Sequence, residues 1–184
     1  MRLLLALILG AAVAFGAGAA ETKAPTVAQI DVGISPEGSA EALVLRVIAS
    51  AQSSIRMAAY SFTSARVVKE LIDAKKRGVV IGLVADYKHN LVDDKSGKAR
   101  AALSGLVTAG VNVRVSTKYQ ISHDKYIIVD GLHVETGSYN YSDSAARRNS
   151  ENVIVLWNHP AVAATYLKQW ESRWESAGEF RPVY

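Results

Sequence analysis

Four side chains with complementary chemistry lie in one short stretch, HDKYIIVDGLHVETGSYN, over residues 123–140. His123 offers an imidazole with an ordinary pKa of roughly 6.5, so near neutrality it can act as nucleophile, base or acid. Lys125 supplies a point charge, and Ser138 and Asn140 supply neutral hydrogen-bond donors. Together they match the needs of attack on a phosphodiester, where charge builds on the non-bridging oxygens. One imidazole does not serve as nucleophile and leaving-group acid in the same step, because the two positions lie on opposite sides of phosphorus. A second histidine is wanted.

The stretch reads as a β-hairpin. Two β-prone runs, 126–129 and 132–135, flank Asp130-Gly131, a dipeptide suited to the positive φ angles of a tight turn. A two-residue loop predicts that Val129 faces Leu132, Lys125 faces Thr136 and His123 faces Ser138. Alternation along the strands then puts His123 and Lys125 on one side, beside Ser138 and Asn140. Asp130 falls in the turn and is expected to hydrogen-bond there, away from the chemistry.

The spacing His123-x-Lys125, four residues, Asp130, six residues, Gly137-Ser138-x-Asn140 resembles the signature of the phospholipase D superfamily, without departure at those positions. The segments SIRMAAYSFTS, AKKRGV and NSENVIVLWN extend the likeness over nearly the whole chain after residue 20. It is similar to the small, single-motif bacterial endonucleases of that superfamily. The resemblance implies an α/β fold, one domain per chain, with a mixed β-sheet flanked by helices on both faces. It also implies metal-independent, cofactor-free hydrolysis in two steps through a phosphohistidine on His123. Single-motif members form homodimers so that two motifs meet, and no second His-x-Lys occurs in this chain. On spacing alone Glu151 is a solvated glutamate at a strand start; the resemblance implies that it hydrogen-bonds and orients His123.

The 184 residues suit one domain, and 49% apolar content is enough for a sizeable core. Residues 1–20 have a short basic start, an apolar run and the small-residue exit Ala17-Gly18-Ala19-Ala20, the layout of a secretory signal peptide. An uncleaved anchor is the competing reading, disfavoured by those small residues and the polar Glu21-Thr22-Lys23 that follow. The expectation is therefore a periplasmic or secreted domain over residues 21–184, without stable membrane association after cleavage. The absence of cysteine excludes thiol nucleophiles and cysteine metal sites. The net charge of +4 suits a polyanionic substrate without requiring one.

Periodicity places strands over 26–34, 54–62, 79–85, 111–116 and 152–157, besides the hairpin, and helices over 37–51, 64–77, 97–109 and 161–177. A polar loop over 86–96 and a short helical piece over 142–150 complete the alternating α/β order. Lys88, Arg147 and Arg148 are candidates for holding a polyanion, since phosphate contacts carry sequence-independent nucleic-acid affinity. His89, His133 and His159 show no metal-ligand spacing. DNA is the expected substrate, with RNA as a second one. The rivals are a phospholipase that uses the same chemistry on lipid headgroups and an exported nucleic-acid-binding module without activity.

Overall fold

The computed structural model describes residues 26–182, so the leader expected over residues 1–20 lies outside it. Eight strands form one mixed sheet in the order β1-β7-β6-β5-β2-β3-β4-β8. The central strands β2 (Ser54–Ala59), β3 (Val80–Asp86) and β4 (Asn112–Ser116) run parallel. Their crossovers are α2 (Ala65–Lys76) and α3 (Lys98–Thr108), as βαβ connections require. On the other side, β5 (Lys125–Val129), β6 (His133–Gly137), β7 (Glu151–Trp157) and β1 (Gln29–Ser35) pair antiparallel. A two-residue β8 (Gly178–Glu179) pairs with β4 and was not expected from periodicity.

Helices cover both faces. The apolar stripes of α1 (Ser39–Ala49), α2 and α3 pack Val44, Val47, Ile48, Leu71 and Leu103 onto one face, against Ile55, Met57, Leu83 and Ile127. On the other face α5 (Pro160–Ser176) lays Trp170 over β2 and β3, and the Trp170 indole donates to the Met57 carbonyl at 3.0 Å. Gly82 makes this possible, since a Cβ there would meet the Trp170 ring at 2.8 Å. Among the described residues, no helix is long and apolar enough to cross a membrane.

Two sequence expectations need correction. The hairpin loop has three residues rather than two: Val129 pairs with His133 and Tyr126 with Thr136, one position away from the expected register. Asp130 and Gly131 do take positive φ, 55° and 66°. Leu132 sits in the loop: its N–H donates to the Val129 carbonyl at 3.0 Å, and its own carbonyl accepts the His159 N–H at 2.8 Å. In addition, the polar loop contains a π-helical turn, Lys88–Asp93.

Candidate functional site

The site is built where the ends of β2, β3 and β5 converge. Residues 121–124 are irregular, so His123 stands just ahead of β5 rather than on it. Its proximity to Lys125 therefore does not come from strand alternation. The Lys125 ammonium donates to the His123 carbonyl at 3.0 Å, which ties the two together. The Lys125 side chain is buried, and its Nζ lies 5.2 Å from the centre of the Tyr60 ring. His123 packs edge-on against the same ring, with centroids 4.5 Å apart. Tyr60 is the wall on which nucleophile candidate and cation meet.

Both groups are shifted toward their neutral forms. Desolvation is the main cause of a lowered His123 pKa, and the Lys125 charge adds to it, while Asp124 opposes. Burial likewise lowers the Lys125 pKa, with Glu151 and Asp124 working against that. A neutral imidazole beside a cation is the protonation state that attack on phosphorus needs.

Asp86, at the end of β3, fixes the approach to His123. One carboxylate oxygen accepts the His89 N–H at 2.7 Å and the other accepts the Ser122 N–H at 2.8 Å. Asn90 complements it: its amide donates to the Tyr60 and Asp86 carbonyls at 2.6 and 2.7 Å and accepts the Phe62 N–H at 2.9 Å. Asn90 of the π-helical turn thus clamps Tyr60, and Asp86 of β3 clamps the residue before His123. The turn also brings His89 onto Tyr60, ring centroids 4.1 Å apart. Tyr60, Asp86 and Asn90 escaped the sequence reading. The available signal was an acid at the end of a fully apolar strand, a position that often faces a site in parallel sheets.

Gly137 ends β6 in close contact with β7. A Cβ there would lie 2.2 Å from the Asn152 carbonyl oxygen, so only glycine lets the next residue turn outward. Ser138 follows, exposed, and its hydroxyl donates to Glu151 Oε2 at 2.6 Å while accepting the Asn152 N–H at 3.0 Å. Asn149 donates to Glu151 Oε1 at 2.9 Å. Glu151 is therefore engaged with Ser138 and Asn149, and the expected hydrogen bond to His123 of its own chain is not formed among the described residues. Asn140 keeps a buried Oδ1 without a hydrogen-bond partner. A parallel bridge between Phe62 and Tyr141 holds the end of this segment beside the stretch that follows β2 and carries Tyr60.

The remaining candidates separate from this centre. Asp130 lies five residues of strand from Lys125, about 17 Å away. Its carboxylate accepts the N–H groups of Gln52, Ser53 and Ser54 and the Ser53 hydroxyl at 2.8–2.9 Å. Burial alone would raise its pKa, but these hydrogen bonds outweigh it and lower the value. Lys88 is exposed on the π-helical turn. Arg147 pairs with Asp143 within the short α4 (Asp143–Arg147), and Arg148 donates to Ser144. Tyr139 and Tyr141 are fully buried and unavailable for stacking on bases. The His133 Nδ1 accepts the Asn158 N–H, a structural role. No cluster of three or more metal-ligating side chains occurs among the described residues.

A cleft of about 590 Å³ opens beside His123 and Lys125, bounded by Thr136 and Gly137 and by Tyr166 and Gln169 of α5. The arrangement can present a neutral imidazole and a buried ammonium to a small anionic centre in this cleft.

Comparison with known proteins agrees with this geometry. Residues 44–174 match the family described as "Cardiolipin synthase, PLD-like domain". The chain is 34% identical over 139 residues to a protein named Phospholipase D from Rickettsia prowazekii, a match that takes in 76% of this chain and 64% of that protein, under two thirds of its length. It is similar to the crystal structure of a phospholipase D family member, Nuc from Salmonella typhimurium, with TM-score 0.81 and 43% identity over 84% of this chain and 99% of that one. The likeness to NucT from Helicobacter pylori, TM-score 0.73 at 21% identity over 84% of this chain and 100% of that one, supports the fold.

Proposed function

The chain belongs to the phospholipase D superfamily, and on that premise we propose that it is a nuclease that hydrolyses DNA, and RNA as a second substrate, without a metal or other cofactor. The observation that carries the reading is the convergence of His123 and Lys125 on the ring of Tyr60. In the proposed reaction, neutral His123 attacks phosphorus, a P–N bond forms, and the leaving oxygen departs with a proton. Water then attacks the phosphohistidine, the P–N bond breaks, and the imidazole is released. Lys125 offsets the charge on the non-bridging oxygens, with Ser138 and Asn140 as further donors. Glu151 holds Ser138 in place for that role.

The proton for the leaving oxygen is assigned to His123 of a second copy of the chain in a homodimer. Support for self-association comes from β1, whose Ile30, Val32 and Ile34 are 55, 64 and 43% exposed on one sheet face. Their register partners Leu156 and Ile154 on β7 continue that apolar face. Export to the periplasm or medium, with removal of residues 1–20, belongs to the same proposal.

The test is relaxation of supercoiled plasmid in excess EDTA. Wild-type protein is expected to nick and His123→Ala to be inert while folded and dimeric. Undiminished nicking by the variant, or a requirement for added Mg²⁺, overturns the reading. The name of the Rickettsia relative supports a second reading, hydrolysis of phospholipid headgroups. Choline release from phosphatidylcholine without plasmid relaxation would select it.

A further inference from the structure

On the face of the sheet that carries α1 to α3, a groove of about 720 Å³ runs between the first turns of α2 and α3 and along α4. Its cations are Arg66, Lys98, Arg147 and Arg148. Two are offset, Arg66 by Glu41 and Arg147 by Asp143. Lys98 and Arg148 form no ion pair among the described residues, which leaves the groove net positive. The Ser144 hydroxyl, which accepts from Arg148, adds a neutral donor, while that of Ser96 is engaged with Asp94.

The groove begins close to the proposed nucleophile. Tyr60 touches His123, and Thr63, three residues on, already lines the groove. Three residues span at most about 11 Å of chain. The same junction is held from the other side, where the Tyr141 carbonyl accepts the N–H groups of Thr63 and Ser64, both at 2.9 Å. At roughly 3.4 Å of rise per nucleotide along a strand, about three nucleotides bridge that distance. A phospholipid with a single phosphate, such as phosphatidylcholine, presents that phosphate at His123 and carries none beyond it. Cations this far from the reacting centre suit a substrate that carries charge along its length.

We propose that this groove binds the sugar-phosphate backbone of one nucleic-acid strand leading away from the scissile phosphate, with Arg66, Lys98 and Arg148 as the phosphate contacts. The proposal rests on the nuclease reading above and locates the polymer on the protein. It makes the recognition electrostatic and independent of sequence, since none of these side chains is placed by a scaffold that reads base edges.

The experiment measures equilibrium binding of a fluorescein-labelled 20-nucleotide single strand by full-length protein carrying His123→Ala, so that cleavage does not intervene. Adding Arg66→Glu and Lys98→Glu is expected to weaken binding about tenfold or more and to flatten the dependence of log K on log salt by about 1.4, two contacts at roughly 0.7 each. Lys98→Glu alone, on an exposed side chain, keeps the test valid if the double variant is unstable. Ala101→Lys, which adds a cation to the groove wall, should tighten binding several-fold. Unchanged affinity and salt slope in the glutamate variants overturn the proposal. So does binding of phosphatidylglycerol vesicles, but not of the oligonucleotide, through the same two residues. Wild-type protein that fails to nick DNA while the His123→Ala form binds it through Arg66 and Lys98 supports the groove and refutes only the nuclease reading.

Discussion

The Ser138 hydroxyl donates to the Glu151 carboxylate at 2.6 Å, and no hydrogen bond joins that carboxylate to His123 of the same chain among the described residues. The proton on Ser138 is thus committed before substrate arrives. For Ser138 to donate to a phosphoryl oxygen, this bond must open or the carboxylate must take a proton. Glu151→Gln should retain an acceptor for Ser138 yet remove a charge that holds the Lys125 pKa up. The expected result is a fall in kcat on a small phosphodiester, with KM little changed and the melting temperature preserved. Ser138→Ala should lose about 10²-fold in kcat, the scale of one lost donor to a developing anion. Equal losses in kcat and in stability would assign the pair a purely structural role.

His123 should titrate below the ordinary imidazole value of 6.5, because burial and the Lys125 charge both disfavour its protonated form. An NMR titration of the ring measures this directly. Neutral His123 is then already dominant at pH 6.5, and the acid limb of kcat/KM lies lower still. Replacing Lys125 by Met should raise the His123 pKa, and His89→Gln should raise it by less, since His89 is the weaker contributor. A His123 pKa above 6.5 in the wild type would contradict the electrostatics of the site.

Asp86 is expected to act as a positioning residue. Its two oxygens hold the His89 and Ser122 N–H groups, and the latter immediately precedes His123. Asp86→Ala leaves both donors unsatisfied in a buried setting, at a cost of about 1–3 kcal/mol each. Activity should fall, and the His123 ring resonances should shift or broaden. Asp86→Asn, which keeps one acceptor oxygen, should recover part of the activity and part of the chemical shift. Loss of activity with an unperturbed His123 spectrum would rule out this role.

Glu135, on β6 of the hairpin, is fully buried, and among the described residues the only hydrogen bond to its carboxyl group comes from the Tyr141 hydroxyl, at 2.8 Å. Desolvation pushes its pKa to about 8, from an ordinary value of 4.5. Between those values the unfolded chain has lost the proton and the folded chain keeps it. The folded state binds more protons there, so stability falls as pH rises through this window. Glu135→Gln keeps an acceptor for Tyr141 and removes the titration. Denaturant midpoints of the two proteins should be close at pH 4.5 and diverge in favour of the glutamine variant toward pH 9. A gap that does not change with pH would contradict the assignment.

The legible part of the site was the part encoded locally. Asp130-Gly131 announced a turn, alternating apolar runs announced its strands, and the spaced motif identified His123, Lys125, Ser138 and Asn140 together with the superfamily. Gly137 stood out as part of that motif, though its reason, a Cβ that would collide with the backbone of β7, is a contact across strands. The hairpin register was missed by one position because the loop closes over three residues, and the Leu132 carbonyl within it is bound by His159, far along the chain.

Composition, period and motif determined the fold class and the candidate residues for the chemistry, since these depend on neighbours in sequence. Only the tertiary structure decided what surrounds them: Tyr60 as the wall for His123, Asp86 and Asn90 as clamps, Glu151 on Ser138 rather than on the imidazole, and a basic groove assembled from three helices. Those relationships join residues dozens of positions apart, as Asp86 joins Ser122 and Asp130 joins Ser53. No local pattern records such a pairing, because hydrogen bonds of this kind form only after the sheet has brought the ends of its strands together.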